Sequence, residues 1–364
     1  MKPLSFMTAK FFALCFLCLF LWYCGASGPK KPREENPKTA FLFYYEAEKD
    51  IAAGDFQGAL AHLDSAIAYN PRYANFYQVK GWVWEETGRA DSAIVAYEKC
   101  LAYRSYYPEV WLRLGRVCLL AHQYENAAFY LKKAAQHYPD SADVHLQLGE
   151  TYYHMNKYPL ALDNLFAYRK IAPNPNPLVW KWLGLTYFRM KEFLKAIPPL
   201  QQYVSAVPGD ETALKSLGIA KFKLGEYNDA LTYLNFAADV RDDDAEVYLY
   251  RARYFLIVEK PEAAGEQLSI ALKIDSLNTD ILFEAGVLNY SRENFPESKR
   301  QLTTLIRLAP EYWPAYRYLG FLAERENDLA QAGRYYQLYL DHTPEPDPEV
   351  RTRMDAIRSQ TKKQ

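Results

Sequence analysis

An all-α solenoid of nine helix-turn-helix repeats is the fold this sequence predicts, and three spacings predict it. Small residues recur at Ala47, Gly81, Gly115, Gly149, Gly184, Gly218, Ala252, Gly286 and Gly320, every 34 residues apart from one step of 35. Twelve residues after each stands Ala59, Ala93, Ala127, Ala161, Ala196, Ala230, Ala264, Ser298 or Ala332. A proline often closes the unit, at Pro71, Pro139, Pro173, Pro208, Pro310 and Pro344, with Ser105, Asp242 and Ser276 as the exceptions. Such a period marks one supersecondary unit repeated, and it overrides the two globular domains that length alone would suggest.

The first element precedes the repeats. Lys2 and Lys10 lead into the apolar run 11–24 (FFALCFLCLFLWYC), followed by small residues at 25–28 and a Pro- and charge-rich linker over 29–39. Fourteen apolar residues are short for a bilayer span and suit the core of a signal peptide, so 1–28 reads as a signal or a membrane anchor. Three readings stay open. Leu21 three residues before Cys24, with Gly25 after it, resembles a bacterial lipoprotein signal and makes Cys24 the lipidation candidate, although Tyr23 stands where that pattern prefers a small residue. Cleavage among 25–28 is the second reading, and an uncleaved anchor is the third. Lys30, Lys31, Arg33 and Lys38 follow the segment, against Lys2 and Lys10 before it, so charge bias leaves its orientation open.

The repeats run over 40–346, starting at 40, 74, 108, 142, 177, 211, 245, 279 and 313. In the third, Trp111, Leu114, Gly115 and Cys118 fall on one helical face, and Tyr124, Ala127, Leu131 and Ala134 form a second apolar stripe after a polar turn. Small residues on facing stripes let two backbones approach, while the large ones fill the space around them. The closing proline cannot continue a helix and separates one hairpin from the next. One hairpin cannot bury both faces, so stability must come from stacking neighbours.

Trp111/Leu114/Gly115, Trp180/Leu183/Gly184/Tyr187 and Tyr316/Leu319/Gly320 closely resemble the first half of the tetratricopeptide repeat (TPR) pattern. The resemblance implies a right-handed superhelix that binds other proteins, with the first helix of each unit lining a groove. It does not name a pathway, because TPR arrays serve many. Two irregularities stand out: the one-residue insertion that ends in Pro173 to Pro177, and Pro198-Pro199 in the second helix of the fifth unit. They suggest either a local change of path near 173–200 or a tolerated insertion. Val350, Met354 and Ile357 make one more apolar stripe, so 347–364 is expected to form a capping helix and tail.

Catalytic chemistry is not legible in the body, which holds no phosphate-binding glycine loop, H-E-x-x-H, G-x-S-x-G or paired CxxC. Cys15-x-x-Cys18 lies among Phe and Leu with no second pair, and Cys100 and Cys118 occupy small or apolar slots as core thiols. His145 and His154 are nine residues apart on one helix, about 180° out of phase, and cannot share a metal. A net charge of -1 gives nucleic acid no electrostatic footprint. The expectation is a non-enzyme without metal, cofactor or small-molecule substrate.

What remains is the groove implied by the resemblance, at slots 2, 5, 9, 12 and 13 of each unit. Units five to seven place Lys181, Arg189, Lys215, Lys223 and Arg253 there, with Phe188 and Phe222 between them. The second unit places Trp82, Glu85 and Glu86 there. A basic strip with aromatic anchors suits an acidic or C-terminal peptide held by charge-assisted hydrogen bonds; the alternative is a solvated basic face. Slot 9 holds Leu185 and Ile219, which excludes the Asn that chaperone-tail-binding TPR domains need there. The expected function is a protein-binding scaffold tethered to a membrane of the bacterial envelope and facing the periplasm. A cytoplasm-facing anchored regulator of envelope biosynthesis is the rival, although the known examples carry a C-terminal cysteine module and this chain has no cysteine after Cys118.

Overall fold

Asn36 accepts a hydrogen bond from the backbone N–H of Thr39 at 3.2 Å, and Pro37 follows with its φ already set for a helix. The first helix therefore starts at Pro37, three residues inside the stretch expected to be linker. The computed structural model describes residues 35–345 and 347–361; the apolar segment and Cys24 lie outside the described residues.

The described residues form nineteen helices and no strand, in two compact units divided between Pro139 and Asp140. The first holds three hairpins: α1 (Pro37–Ala53) with α2 (Phe56–Tyr69), α3 (Ala74–Glu86) with α4 (Ala90–Tyr103), and α5 (Pro108–Leu120) with α6 (Tyr124–His137). The second holds six: α7 (Ala142–His154) with α8 (Tyr158–Ile171), α9 (Leu178–Arg189) with α10 (Phe193–Ala206), α11 (Glu211–Lys223) with α12 (Tyr227–Val240), α13 (Ala245–Ile257) with α14 (Pro261–Ile274), α15 (Thr279–Ser291) with α16 (Phe295–Leu308), and α17 (Trp313–Arg325) with α18 (Leu329–His342). A last helix, α19 (Pro348–Thr361), follows.

Close approach explains the small-residue slot. A Cβ on Gly115, Gly149, Gly184 or Gly286 would stand 2.5–2.7 Å from the leucine sixteen residues on, namely Leu131, Leu165, Leu200 or Leu302. In the second and ninth hairpins a fully buried tyrosine takes that leucine's place, Tyr97 on Gly81 and Tyr336 on Gly320. Each of these tyrosines reaches past the glycine to a carboxylate: Tyr97 Oη donates to Glu85 at 2.8 Å and Tyr336 Oη to Glu324 at 2.6 Å. Burial and the neighbouring carboxylate push both phenols far above their ordinary range.

Every hairpin turns the same way. One residue between its helices is left-handed, at 54, 88, 122, 156, 191, 225, 259, 293 and 327, and only three of these are glycine. In all nine the next residue's N–H donates to the carbonyl five residues back, as Gln123 does to Cys118, at 2.8–3.0 Å. This is the helix C-terminal closure that satisfies orphan carbonyls, and it fixes the exit direction of the chain. His122, Lys191, Glu259 and Glu293 hold φ between 56° and 61° at a steric cost. Replacing Lys191, Glu259 or Glu293 by glycine is expected to raise stability by roughly 0.5–1 kcal/mol each in urea unfolding, and Asn156→Gly by less.

The irregular stretch folds simply. α8 ends at Ile171, and the segment before α9 is held by Tyr168, whose hydroxyl accepts from Asn176 N–H at 2.6 Å. Pro198 and Pro199 sit inside α10 without ending it, one exposed and one half-buried. At the other end Val350, Met354 and Ile357 are buried against Phe321, Ala332, Tyr336 and Tyr339, and Arg353 pairs with Glu324 at 3.1 Å. α19 thus covers the last hairpin with its apolar stripe. Cys100 and Cys118 are buried free thiols, pushed by burial up to about 11 and about 12, where they stay protonated.

Candidate functional site

Lys181, Lys215 and Arg253 stand on the first helices of the fifth, sixth and seventh hairpins, α9, α11 and α13, which touch one another in sequence. Each reaches forward to an acid on the next hairpin. Lys181 Nζ lies 2.6 Å from Asp210, Lys215 Nζ 2.6 Å from Asp244, and Arg253 Nε 2.9 Å from Glu284 with Asp280 at 3.4 Å. Three of the five cations expected in the basic strip are thus ion-paired ties between neighbouring repeats. The acids lie 27–31 residues downstream, and a reading of each unit's own slots does not meet them.

For Lys181 and Lys215 the signal was present at a spacing of 29. Slot 5 of a hairpin meets the residue just before the first helix of the next in four places, Lys181 with Asp210, Lys215 with Asp244, Gln78 with Tyr107 and Phe283 with Tyr312, and in these the chemistry of the two matches. Tyr107 Oη donates to Gln78 at 2.7 Å, and the rings of Phe283 and Tyr312 meet at a tilt of 44° with centroids 5.1 Å apart. Asp210 and Asp244 also cap their helices, accepting the backbone N–H of Ala213 at 3.0 Å and of Glu246 at 2.9 Å. One carboxylate therefore starts a helix and holds the previous repeat to it.

Burial would push the Asp210 carboxyl up, yet the Lys181 ammonium, the Ala213 N–H and the Tyr203 hydroxyl together hold it below its ordinary 3.8. A depressed carboxyl stabilises the fold above its unfolded pKa and loses that contribution as pH falls through the folded value. Asp210→Asn keeps a capping oxygen but leaves the half-buried Lys181 ammonium unpaired, and is expected to lose about 1 kcal/mol or more at pH 7. Its stability should then change less than the parent's between about pH 5 and pH 2, as read by urea midpoints across that range.

Arg189 and Lys223 are arranged differently. Both are exposed at slot 13 of α9 and α11, and neither makes a carboxylate ion pair among the described residues. Arg189 Nε donates to Tyr158 Oη at 3.3 Å, and Lys223 Nζ stands 5.5 Å from the Tyr250 ring. Beside them Phe188 and Phe222 are half-buried, edge-on to Phe193 at 5.8 Å and to Tyr227 and Tyr250 at 5.1 and 5.2 Å. Tyr153 continues this aromatic row on α7, 5.2 Å from Trp182. Acidic side chains also line the face. Glu150 is pushed up by burial, against the pull of Lys181, and Glu246 lies 3.6 Å from Lys215. The face is an ion-paired shelf with two exposed cations and a row of rings.

The residues expected at an acidic end in the second hairpin are also partly engaged within the fold. Glu85 is 10% exposed, accepts from Tyr97 and lies 3.4 Å from Arg113. Trp82 is half-buried, edge-on to Phe56 at 6.2 Å. Only Glu86 of that trio is exposed. No described helix is long and apolar enough to cross a membrane.

Comparison with known proteins places this architecture. Two family models, both described as Tetratricopeptide repeat, match residues 119–183 for one and 46–105, 216–279 and 283–348 for the other, which alone exceeds half of the chain. The chain is 24% identical over 237 residues to the BBSome complex member BBS4 of Bos taurus, covering 65% of this chain and 45% of that one. It is 20% identical over 236 residues to Protein O-mannosyl-transferase TMTC3 of Homo sapiens, covering 64% of this chain but 23% of that one. It thus spans less than half the length of either relative. A chain of the APC/C hetero-tetramer Cut9-Hcn1 superposes with a TM-score of 0.52 at 12% identity, covering 95% of this chain and 82% of that one, a likeness of fold alone. With nineteen helices among its described residues, repeating glycine contacts and family matches spread along its length, the chain belongs to the tetratricopeptide repeat family.

Proposed function

We propose that this protein is a non-catalytic scaffold that holds a segment of a partner protein across the first helices of the fifth to seventh hairpins. It is tethered by its N-terminal segment to a membrane of the bacterial envelope, facing the periplasm. The row formed by Phe188 and Phe222 with the exposed Arg189 and Lys223, neither in a close carboxylate ion pair, carries the reading. Half-buried rings supply contact area at little conformational cost, and exposed cations add charge-assisted bonds once a ligand desolvates them. The paired Lys181, Lys215 and Arg253 hold the repeats in the register that presents this row. Membership in the family supports protein binding, and the assembly named for the bovine relative is in keeping with it.

A photo-crosslinking residue at 222, installed in the full-length protein in native membranes, tests the reading. Adducts there that vanish in Arg189→Glu/Lys223→Glu, with folding unchanged, support it. Adducts that persist at 222 in the double variant, or form only elsewhere, overturn the assignment. Metabolic lipid labelling that depends on Cys24 supports the tether, and labelling that survives Cys24→Ser removes the lipoprotein form of it. Protease protection of the intact body on the cytoplasmic side would place it in the rival, cytoplasm-facing arrangement.

A further inference from the structure

The spacing of the two exposed cations constrains the backbone that fits across them. Arg189 and Lys223 occupy the same slot on α9 and α11, which are in direct contact. Helices packed side by side lie about 8–10 Å apart, so equivalent slots recur at roughly that interval. The rings repeat with them, from Tyr153 through Phe188 to Phe222. A ligand lying across the helices must therefore present matching groups on one side about every 10 Å.

Three backbones meet that length and only one meets it well. An extended strand rises about 3.3 Å per residue, so three residues span the step, but every third side chain then points to the opposite face. An α-helix needs about seven residues per step, and at roughly 10 Å in diameter it requires a trough. A polyproline II segment rises about 3.1 Å per residue with three residues per turn, so residues i and i+3 share an edge about 9.3 Å apart. Its proline rings suit flat, half-buried aromatic faces such as Phe188 and Phe222.

Charge sets how acidic the segment can be. Lys181, Lys215 and Arg253 are already paired with Asp210, Asp244 and Glu284, while Glu246 and Asp280 beside them remain 50% and 51% exposed. Two carboxylates are complemented on this face, and further ones meet like charge. We propose that the segment held here is proline-rich, in the polyproline II conformation, with acidic residues at i and i+3 paired to Arg189 and Lys223. This rests on the partner-binding face proposed above and adds the conformation, spacing and charge of what it binds.

Fluorescence anisotropy with the detergent-solubilised full chain tests it, using four labelled peptides. Three are proline peptides with two aspartates three apart, with two aspartates four apart, and with aspartate at every second position; the fourth is a helical peptide with two aspartates seven apart. The three-apart peptide is expected to bind about tenfold tighter than each of the others. That preference should disappear in Arg189→Glu/Lys223→Glu, whose melting curve and circular dichroism should match the parent's. Equal binding of the three- and four-apart peptides, lost in the double variant, would overturn the spacing while leaving the face as a binding site. A preference for the helical peptide would overturn the conformation, and one for the polyacidic peptide the charge limit. Binding by no peptide would overturn the inference, leaving the crosslink at 222 to decide the parent reading.

Discussion

Gly149→Leu is expected to lower the free energy of unfolding by about 3 kcal/mol or more, at the upper end of overpacking. A Cβ at 149 would already stand 2.6 Å from Leu165, itself fully buried, with the Ala161 carbonyl at 3.5 Å behind it. Three further carbons have nowhere to go unless α7 and α8 separate, which would open the core of that hairpin. Gly209→Ala is the control, because a Cβ there meets nothing within 4 Å. Urea midpoints should fall sharply for the first variant and little for the second. An unchanged midpoint for Gly149→Leu would mean that the small-residue slot is not where the helices meet.

Lys215→Glu is the second large effect. Its ammonium lies among Asp244 at 2.6 Å, Glu246 at 3.6 Å and Glu211 at 3.9 Å, with its side chain only 20% exposed. A fourth carboxylate there leaves a half-buried acidic cluster with Arg241 beside Glu211 and Asp244 as partial compensation. A loss of about 3 kcal/mol is expected, discounted from a fully buried pair because Glu246 is half exposed and screened. Lys215→Met keeps the aliphatic stem and should cost less. The ordering parent, Met, Glu in chemical denaturation is the test; equal stability of the parent and Lys215→Glu would show Lys215 to be free. Reading the groove from sequence leads to the opposite expectation, that reversing Lys215 and Arg253 spares the fold.

That reversal shows where legibility stopped. Gly115 against Leu131 and Gly286 against Leu302 are contacts within one hairpin, sixteen residues apart, so the same solution recurs wherever the hairpin does. Repetition made it readable. The left-handed turns were not readable, because Lys191, Glu259 and Glu293 do not mark such a position as glycine does. The residue types do not betray the conformation; the hydrogen bond from the next residue to the carbonyl five back imposes it.

The cations divide along the same line. Placing Lys181, Arg189, Lys215, Lys223 and Arg253 on one side of three successive helices needs only the 3.6-residue period and the unit length. Which of them are available needs the packing of one repeat on the next, because their acids lie on the following hairpin. The apolar slots, alike in position from unit to unit, were determined by the sequence alone, since each hairpin must bury the same stripe. The pairing of Lys181 with Asp210 and the exposure of Arg189 and Lys223 without a close carboxylate were decided by tertiary structure. A side chain's partner depends on how far one helix stands from its neighbour and where that neighbour begins, and Asp210 and Asp244 mark those beginnings.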